Sequence, residues 1–268
     1  MKKLLLAAGL ICVVATPAWS GEYLDWRNWL SSGNAVKPAT PKAFRTNIAA
    51  GAGVAPEYLG GDQYELKPLL LADVEYRDEF FLSTQRGLGW AFYKKGNIRF
   101  GPRLTVDYGR DSGGSDALEG LPDIDPAIEV GLFGELYNGP FRLQLSFAQD
   151  VGTGHEGFLA SADAAYGGRF GPNSSLIIGA NVAYMSDNYA ESFFGVADDQ
   201  VRPGREAFTA EASVRDVGGY VQIIYDVTKS VYVAFDARAN LLIGDAADSP
   251  LSESDTQFFG GAMLGYRF

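Results

Sequence analysis

Cysteine and histidine are nearly absent: one of each in 268 residues. Cys12 sits inside an apolar N-terminal run, with no small residue directly before it to make a lipoprotein acylation site. Beyond that run the chain has no disulfide, no thiol nucleophile and no cysteine metal site. Basic residues are also scarce, 22 lysines and arginines against 33 aspartates and glutamates. A chain this acidic lacks the basic patch that phosphate neutralisation needs, so nucleic acid is excluded as a partner. Long hydrophobic runs are missing as well. Leu176 to Met185 comes nearest, and Gly179 and Asn181 interrupt it, so no transmembrane helix is expected.

The N-terminus has its own pattern. Lys2 and Lys3 precede the apolar stretch Leu4 to Val14, which is too short to span a bilayer, and Ala18-Trp19-Ser20 places small residues before Gly21. This reads as a secretion signal over 1–20, cleaved between Ser20 and Gly21. Two lysines leave with it, and the formal charge moves from −11 to −13. Residues 21–43, with Trp26, Trp29, Pro38 and Pro41, read as a periplasmic lead-in. The alternative is a short interfacial or lumen-inserted segment held by the two tryptophans.

What the chain has in quantity is glycine (33 residues), aromatics (13%) and alternation. From Phe44 onward the period is two. Ile98, Phe100, Leu104, Val106 and Tyr108 alternate with Asn97, Arg99, Arg103, Thr105 and Asp107, and Phe141, Leu143, Leu145 and Phe147 with Arg142, Gln144 and Ser146. Leu176 to Tyr184, Phe208 to Arg215 and Val231 to Ile243 repeat the pattern. Weaker strands are expected at 44–54, 65–76, 80–93, 127–137, 157–169, 217–227 and 256–268. Strands of ~10–13 residues are too long for a typical sandwich and match a tilted bilayer crossing. Mean hydropathy stays near zero because one face of each strand is apolar and the other polar. The fold class expected is all-β: a transmembrane, antiparallel, up-and-down barrel of about twelve strands, ten being the lower count. It occupies 44–268 as one domain.

The last strand carries the strongest single signal. Leu264, Tyr266 and Phe268 fall on one face of a strand that ends the chain, as the closing strand of an outer-membrane barrel would. The polar faces place Arg99, Arg103, Asp107, Arg142, Glu211, Arg215, Asp236 and Arg238 in the lumen, where they would either pair or line an ion path. Twelve strands counted this way put 109–126 and 186–206 at the periplasmic end, although outer-membrane barrels keep their periplasmic turns short. Either a strand is miscounted near 80–93 or the periplasmic face carries large loops.

No catalytic constellation is visible. His155 lies in the glycine-rich Gly154-His155-Glu156-Gly157 and reads as a polar turn residue, with no serine adjacent in sequence. The acidic stretch from Asp111 to Asp125 lacks EF-hand spacing and reads as solvated loop. Hence no enzyme activity, cofactor or metal is expected.

Short landmarks then accumulate in a fixed order. They are Gly51-Ala52-Gly53 with Pro56-Glu57-Tyr58-Leu59-Gly60, then Gly87-Leu88-Gly89, Gly109-Arg110-Asp111, Leu118-Glu119-Gly120-Leu121 and Asp123-Ile124-Asp125. Phe194-Gly195-Val196, the run Gly244 to Pro250 and Tyr266-Arg267-Phe268 follow. In these the chain resembles the MipA/OmpV family of outer-membrane proteins. It departs from the family's Ser-Gly element after Val196, reading Arg202-Pro203-Gly204-Arg205 instead. The resemblance implies a scaffold at the outer membrane, since the best-known member links a lytic murein transglycosylase to a murein synthase. It carries over no catalytic residue. The loops expected to meet such partners hold Arg110, Asp111, Asp123, Asp125, Phe194 and Gly195. A small channel and a surface antigen or adhesin are the other readings. In each case the barrel wall would contact outer-membrane lipid.

Overall fold

A computed structural model describes residues 44–268; the expected signal cleavage at Ser20 and Gly21 and the lead-in lie outside the described residues. The strands are β1 (Phe44–Pro56), β2 (Tyr64–Tyr76), β3 (Phe80–Ser83), β4 (Gly87–Trp90), β5 (Tyr93–Lys95), β6 (Ile98–Asp107) and β7 (Ala127–Asn138). They continue as β8 (Phe141–Asp150), β9 (Phe158–Arg169), β10 (Ser174–Met185), β11 (Ser213–Asp226), β12 (Val231–Leu242) and β13 (Thr256–Arg267). Helix α1 (Asp187–Phe194) and the single turn α2 (Asp245–Asp248) lie in connections. Every strand except β4 and β5 pairs antiparallel with both its sequence neighbours around the wall, β1 pairs with β13, and β4 and β5 both pair with β6, which completes the ring. β4 and β5 are two halves of one broken wall strand. Leu88 faces Leu104, but Tyr93 faces Phe100, so the register slips by one residue at a bulge between the halves. The result is a closed antiparallel barrel of twelve wall strands.

Burial is inverted relative to a soluble protein. Along β6, Leu104 and Val106 are 44% and 49% exposed, while Arg103 and Asp107 are each 4% exposed. Apolar and aromatic side chains cover the outside and charged ones fill the inside, the arrangement only a lipid-facing barrel wall stabilises. Leu264, Tyr266 and Phe268 all lie on the outer surface, and β13 is hydrogen-bonded on both edges, to β12 and β1. No unpaired strand edge remains at the chain's end.

Two strand expectations need correction, and the corrections cancel in the count. Residues 80–93 form not one strand but the hairpin β3–β4 and part of β5. The reversal is made by Gly87 at φ 73° and by Arg86, which turns inward to Asp73 at 2.7 Å. Conversely, 208–212 is not strand, and the wall resumes only at Ser213. The alternating Phe208, Ala210 and Ala212 have no neighbouring strand here. Their amides go to Val196 O, to Glu191 Oε2 at 2.9 Å and to Asp187 Oδ1 at 2.7 Å. Glu211, expected in the lumen, is therefore an exposed loop residue, its amide donating to Asp245 Oδ2 at 2.7 Å.

The extra hairpin settles the parity. Connections 77–79, 96–97, 139–140, 170–173 and 227–230 are short and gather at the end holding Phe44 and Phe268. Connections 57–63, 108–126, 151–157, 186–212 and 243–255 are long and gather at the other end. Segments 109–126 and 186–206 thus belong to the long-loop end, which the loop-length rule makes the extracellular face.

Candidate functional site

The lumen and the long-loop end form one continuous polar and apolar filling. Near the short-turn end, Arg99 donates to Glu75 at 2.6 Å and lies 2.9 Å from Glu135, while Arg45 reaches Glu75 at 2.9 Å. Midway, Arg142 meets Asp163 at 2.5 Å, with side chains 0% and 1% exposed, and the Tyr220 hydroxyl also donates to Asp163. Arg238 pairs with Asp236 at 3.0 Å and stacks over the Tyr220 ring. Arg215 pairs with Asp216 at 2.7 Å and donates to the Tyr189 hydroxyl at 2.7 Å. Arg103 donates to Ser146. Asp107 lies at the upper end of β6, accepting from the Gly109 amide. These groups sit in low dielectric, where the ion pairs hold only because both members are present.

Above them the five long connections interlock into a cap. Ser186 caps the first turn of α1, and Tyr189, Ala190, Phe193 and Phe194 form its buried face. They pack with Ile124, Leu159, Met185, Leu242 and Ala246 in a core of the cap's own. Arg110 donates to the Phe193 carbonyl at 2.6 Å, and the Ser249 hydroxyl to the Phe194 carbonyl at 2.6 Å. The Tyr58 hydroxyl lies 3.0 Å from both Leu251 O and Glu253 Oε2, tying 57–63 to 243–255. Burial, with the Glu253 carboxylate beside it, pushes this phenol above its ordinary range.

Of the residues expected to meet partners, Arg110 and Phe194 are buried inside the cap and Gly195 is half-buried beneath it. Asp111, Asp123 and Asp125 are exposed on its outer surface. Asp123 accepts from the Ser112 amide and hydroxyl at 2.9 and 2.6 Å, which hold its carboxyl below the usual range. The departure at Arg202–Arg205 proves to be a strap. Arg205 donates to Gln200 O, Ala117 O and Glu119 O, and Arg202 reaches Glu119 at 3.1 Å, so 186–212 is sewn to 108–126. Two arginines in a Pro-Gly turn facing a loop rich in free carbonyls were the signal sequence reasoning passed over.

His155 also departs from expectation. It is 1% exposed, not a surface turn residue, because its ring meets Tyr189 edge-to-face at 4.8 Å beneath α1. Gly157 lets the loop approach that closely, since a Cβ there would meet Tyr189 N at 2.3 Å. Ser192 donates to the His155 carbonyl and not to the ring, so this pair is not a nucleophile and base. Asp107, Glu129 and His155 are buried together, and one ligand atom from each lies within 4.8 Å of the others.

A family model described as "MltA-interacting protein MipA" matches residues 48–268. The outer membrane protein OmpV of Vibrio cholerae is 25% identical over 205 residues, 74% of this chain and 77% of its own. Omp26La of Vibrio anguillarum is 24% identical over a stretch of the same extent. Among solved structures, a KdgM porin aligns with a TM-score of 0.47 at 11% identity, over 83% of this chain and 99% of its own. An outer membrane channel from Pseudomonas putida F1 aligns with a TM-score of 0.41 at 11% identity, over 86% of this chain and 97% of its own.

Proposed function

The chain belongs to the MipA family of outer-membrane proteins, and from that premise we propose that it is an anchoring and interaction barrel, holding murein-active enzymes at the outer membrane, and not an open channel. The observation that carries this reading is the filled interior. The Arg142–Asp163 pair, buried with Tyr220 of β11, occupies the lumen, and the interlocked cap covers one end. A wide aqueous path needs neither. The family's description names an interaction with MltA, which supports a murein-active enzyme as partner; a lytic transglycosylase joined to a murein synthase is the pair the resemblance implies.

Murein enzymes work in the periplasm, so the contact belongs at the short-turn end. Arg77, Lys94, Lys95, Arg169 and Lys229 are exposed there, a basic rim on an otherwise acidic protein. Such a rim favours a partner with an acidic face and speeds its capture. The experiment is affinity capture from gently solubilised envelopes with mass spectrometry, on the native chain and on a Lys94→Glu, Lys95→Glu variant. A murein transglycosylase enriched by the first and lost from the second supports the proposal. Capture of no murein enzyme, together with steady conductance in planar bilayers, overturns it in favour of a channel.

A further inference from the structure

We propose that Asp107, Glu129 and His155 bind one divalent transition-metal ion of the zinc class. The three ligands come from the end of β6, from β7 and from the 151–157 loop, all buried. Two carboxylates and an imidazole suit zinc or manganese, whereas calcium and magnesium favour oxygen alone. The observation that points to an ion is the histidine itself. Its Nε2 has no hydrogen-bond partner among the described residues, and it faces Glu129 Oε1 at 3.9 Å. That is too long for a hydrogen bond, whereas two atoms each ~2.0–2.2 Å from a tetrahedral zinc lie about 3.3–3.6 Å apart, so this pair closes by only a few tenths of an ångström on coordination. The widest spacing in the cluster, within 4.8 Å, closes by up to about 1.5 Å to reach tetrahedral coordination, the scale of a carboxylate rotation.

The surroundings hold the ligands in place. The Thr105 hydroxyl donates to Glu129 Oε2 at 2.6 Å and the Gly109 amide to Asp107 Oδ1 at 2.8 Å. Neutral donors of this kind orient ligating carboxylates. A dication between them would offset two carboxylates in a low-dielectric site. Asp150, opposite Glu129 in the sheet, is already occupied by the amides of Gly152, Gly154 and Glu156.

Coordination has a spectroscopic consequence. The Gly157 amide donates to Nδ1 at 3.1 Å, which puts the proton of the neutral ring on Nε2. Binding through Nε2 moves that proton to Nδ1 and releases the Gly157 amide. The ion also joins 151–157, and through Tyr189 and Phe193 the helix α1, to the barrel wall.

The test uses the folded barrel in micelles, stripped with a chelator and titrated calorimetrically with zinc chloride. One equivalent should bind, and His155→Gln should weaken binding at least ~10-fold. Asp198→Asn with Asp199→Asn, on the exposed acidic loop, should leave it unchanged. Should His155→Gln fail to fold, zinc-edge absorption on the native chain decides: an imidazole nitrogen in the coordination shell, with a shifted His155 ring ¹⁵N resonance, supports the site. A shell of oxygen alone, or equal zinc uptake by native and His155→Gln chains, assigns the ion to the acidic loops and overturns the proposal.

Discussion

Arg110 donates to the backbone carbonyl of Phe193 at 2.6 Å, joining two connections 83 residues apart with a buried guanidinium. This contact fixes the C-terminal turn of α1, where carbonyls lack helical partners and a cation is favoured. Arg110→Ala should therefore cost about 1.5–3 kcal/mol locally, the range for a hydrogen bond to a charged group. Amide exchange should accelerate in 187–194 while the β1–β13 pairing stays protected. Equal acceleration throughout would mean that cap and barrel open together.

Arg142 and Asp163 give a second prediction. Arg142→Ala leaves a carboxylate buried without its main cation, and the loss should be about 3–5 kcal/mol. Arg142→Met combined with Asp163→Leu removes both charges and should restore much of it. Urea unfolding in micelles reads both changes.

Alkali should loosen the cap through Tyr58. Its folded pKa is raised above the unfolded value near 10, because burial and Glu253 oppose the phenolate. The stabilisation is thus complete below about pH 10 and is lost as pH rises beyond it. Proteolysis within 243–255 should increase over that window in the native chain. Tyr58→Phe keeps the ring and should flatten the pH dependence.

The wall itself is testable at Leu132, which is 44% exposed on the lipid face of β7. Leu132→Arg should destabilise the barrel by about 2–4 kcal/mol if this position lies near the bilayer midplane. Leu132→Phe should be nearly neutral. Folding titrations into vesicles distinguish the two.

The sequence shows the wall well because a strand writes its two faces directly into alternate residues. β6, β8 and β12 are legible in this way, as is the lipid face of β13. The hairpin at 80–93 was hidden because Thr84, Gln85 and Arg86 carry little turn chemistry, and its reversal rests on Gly87 and on an ion pair to Asp73. At 208–212 alternation misled. Strand pairing depends on where each amide finds an acceptor, and here carboxylates from α1 and α2 supply them. The cap and the Asp107, Glu129 and His155 cluster were illegible for a simpler reason. The cap's members come from five separate connections that barrel closure gathers at one end, and Asp107, Glu129 and His155 meet only once β6, β7 and β8 pair in register.

The short β3–β4 hairpin gives the cylinder an uneven height. β2 runs on from Leu71 to Tyr64 beyond the last residue that pairs with β3, and this outer edge carries Pro68, which has no amide hydrogen to offer a neighbour. Elsewhere each strand is clasped along most of its length. Here the staves are cut low, and above them no strand pairs with the outer edge of β2 among the described residues. Loosening on this side would therefore breach the barrel sideways, toward the lipid, before it opened a path through the top.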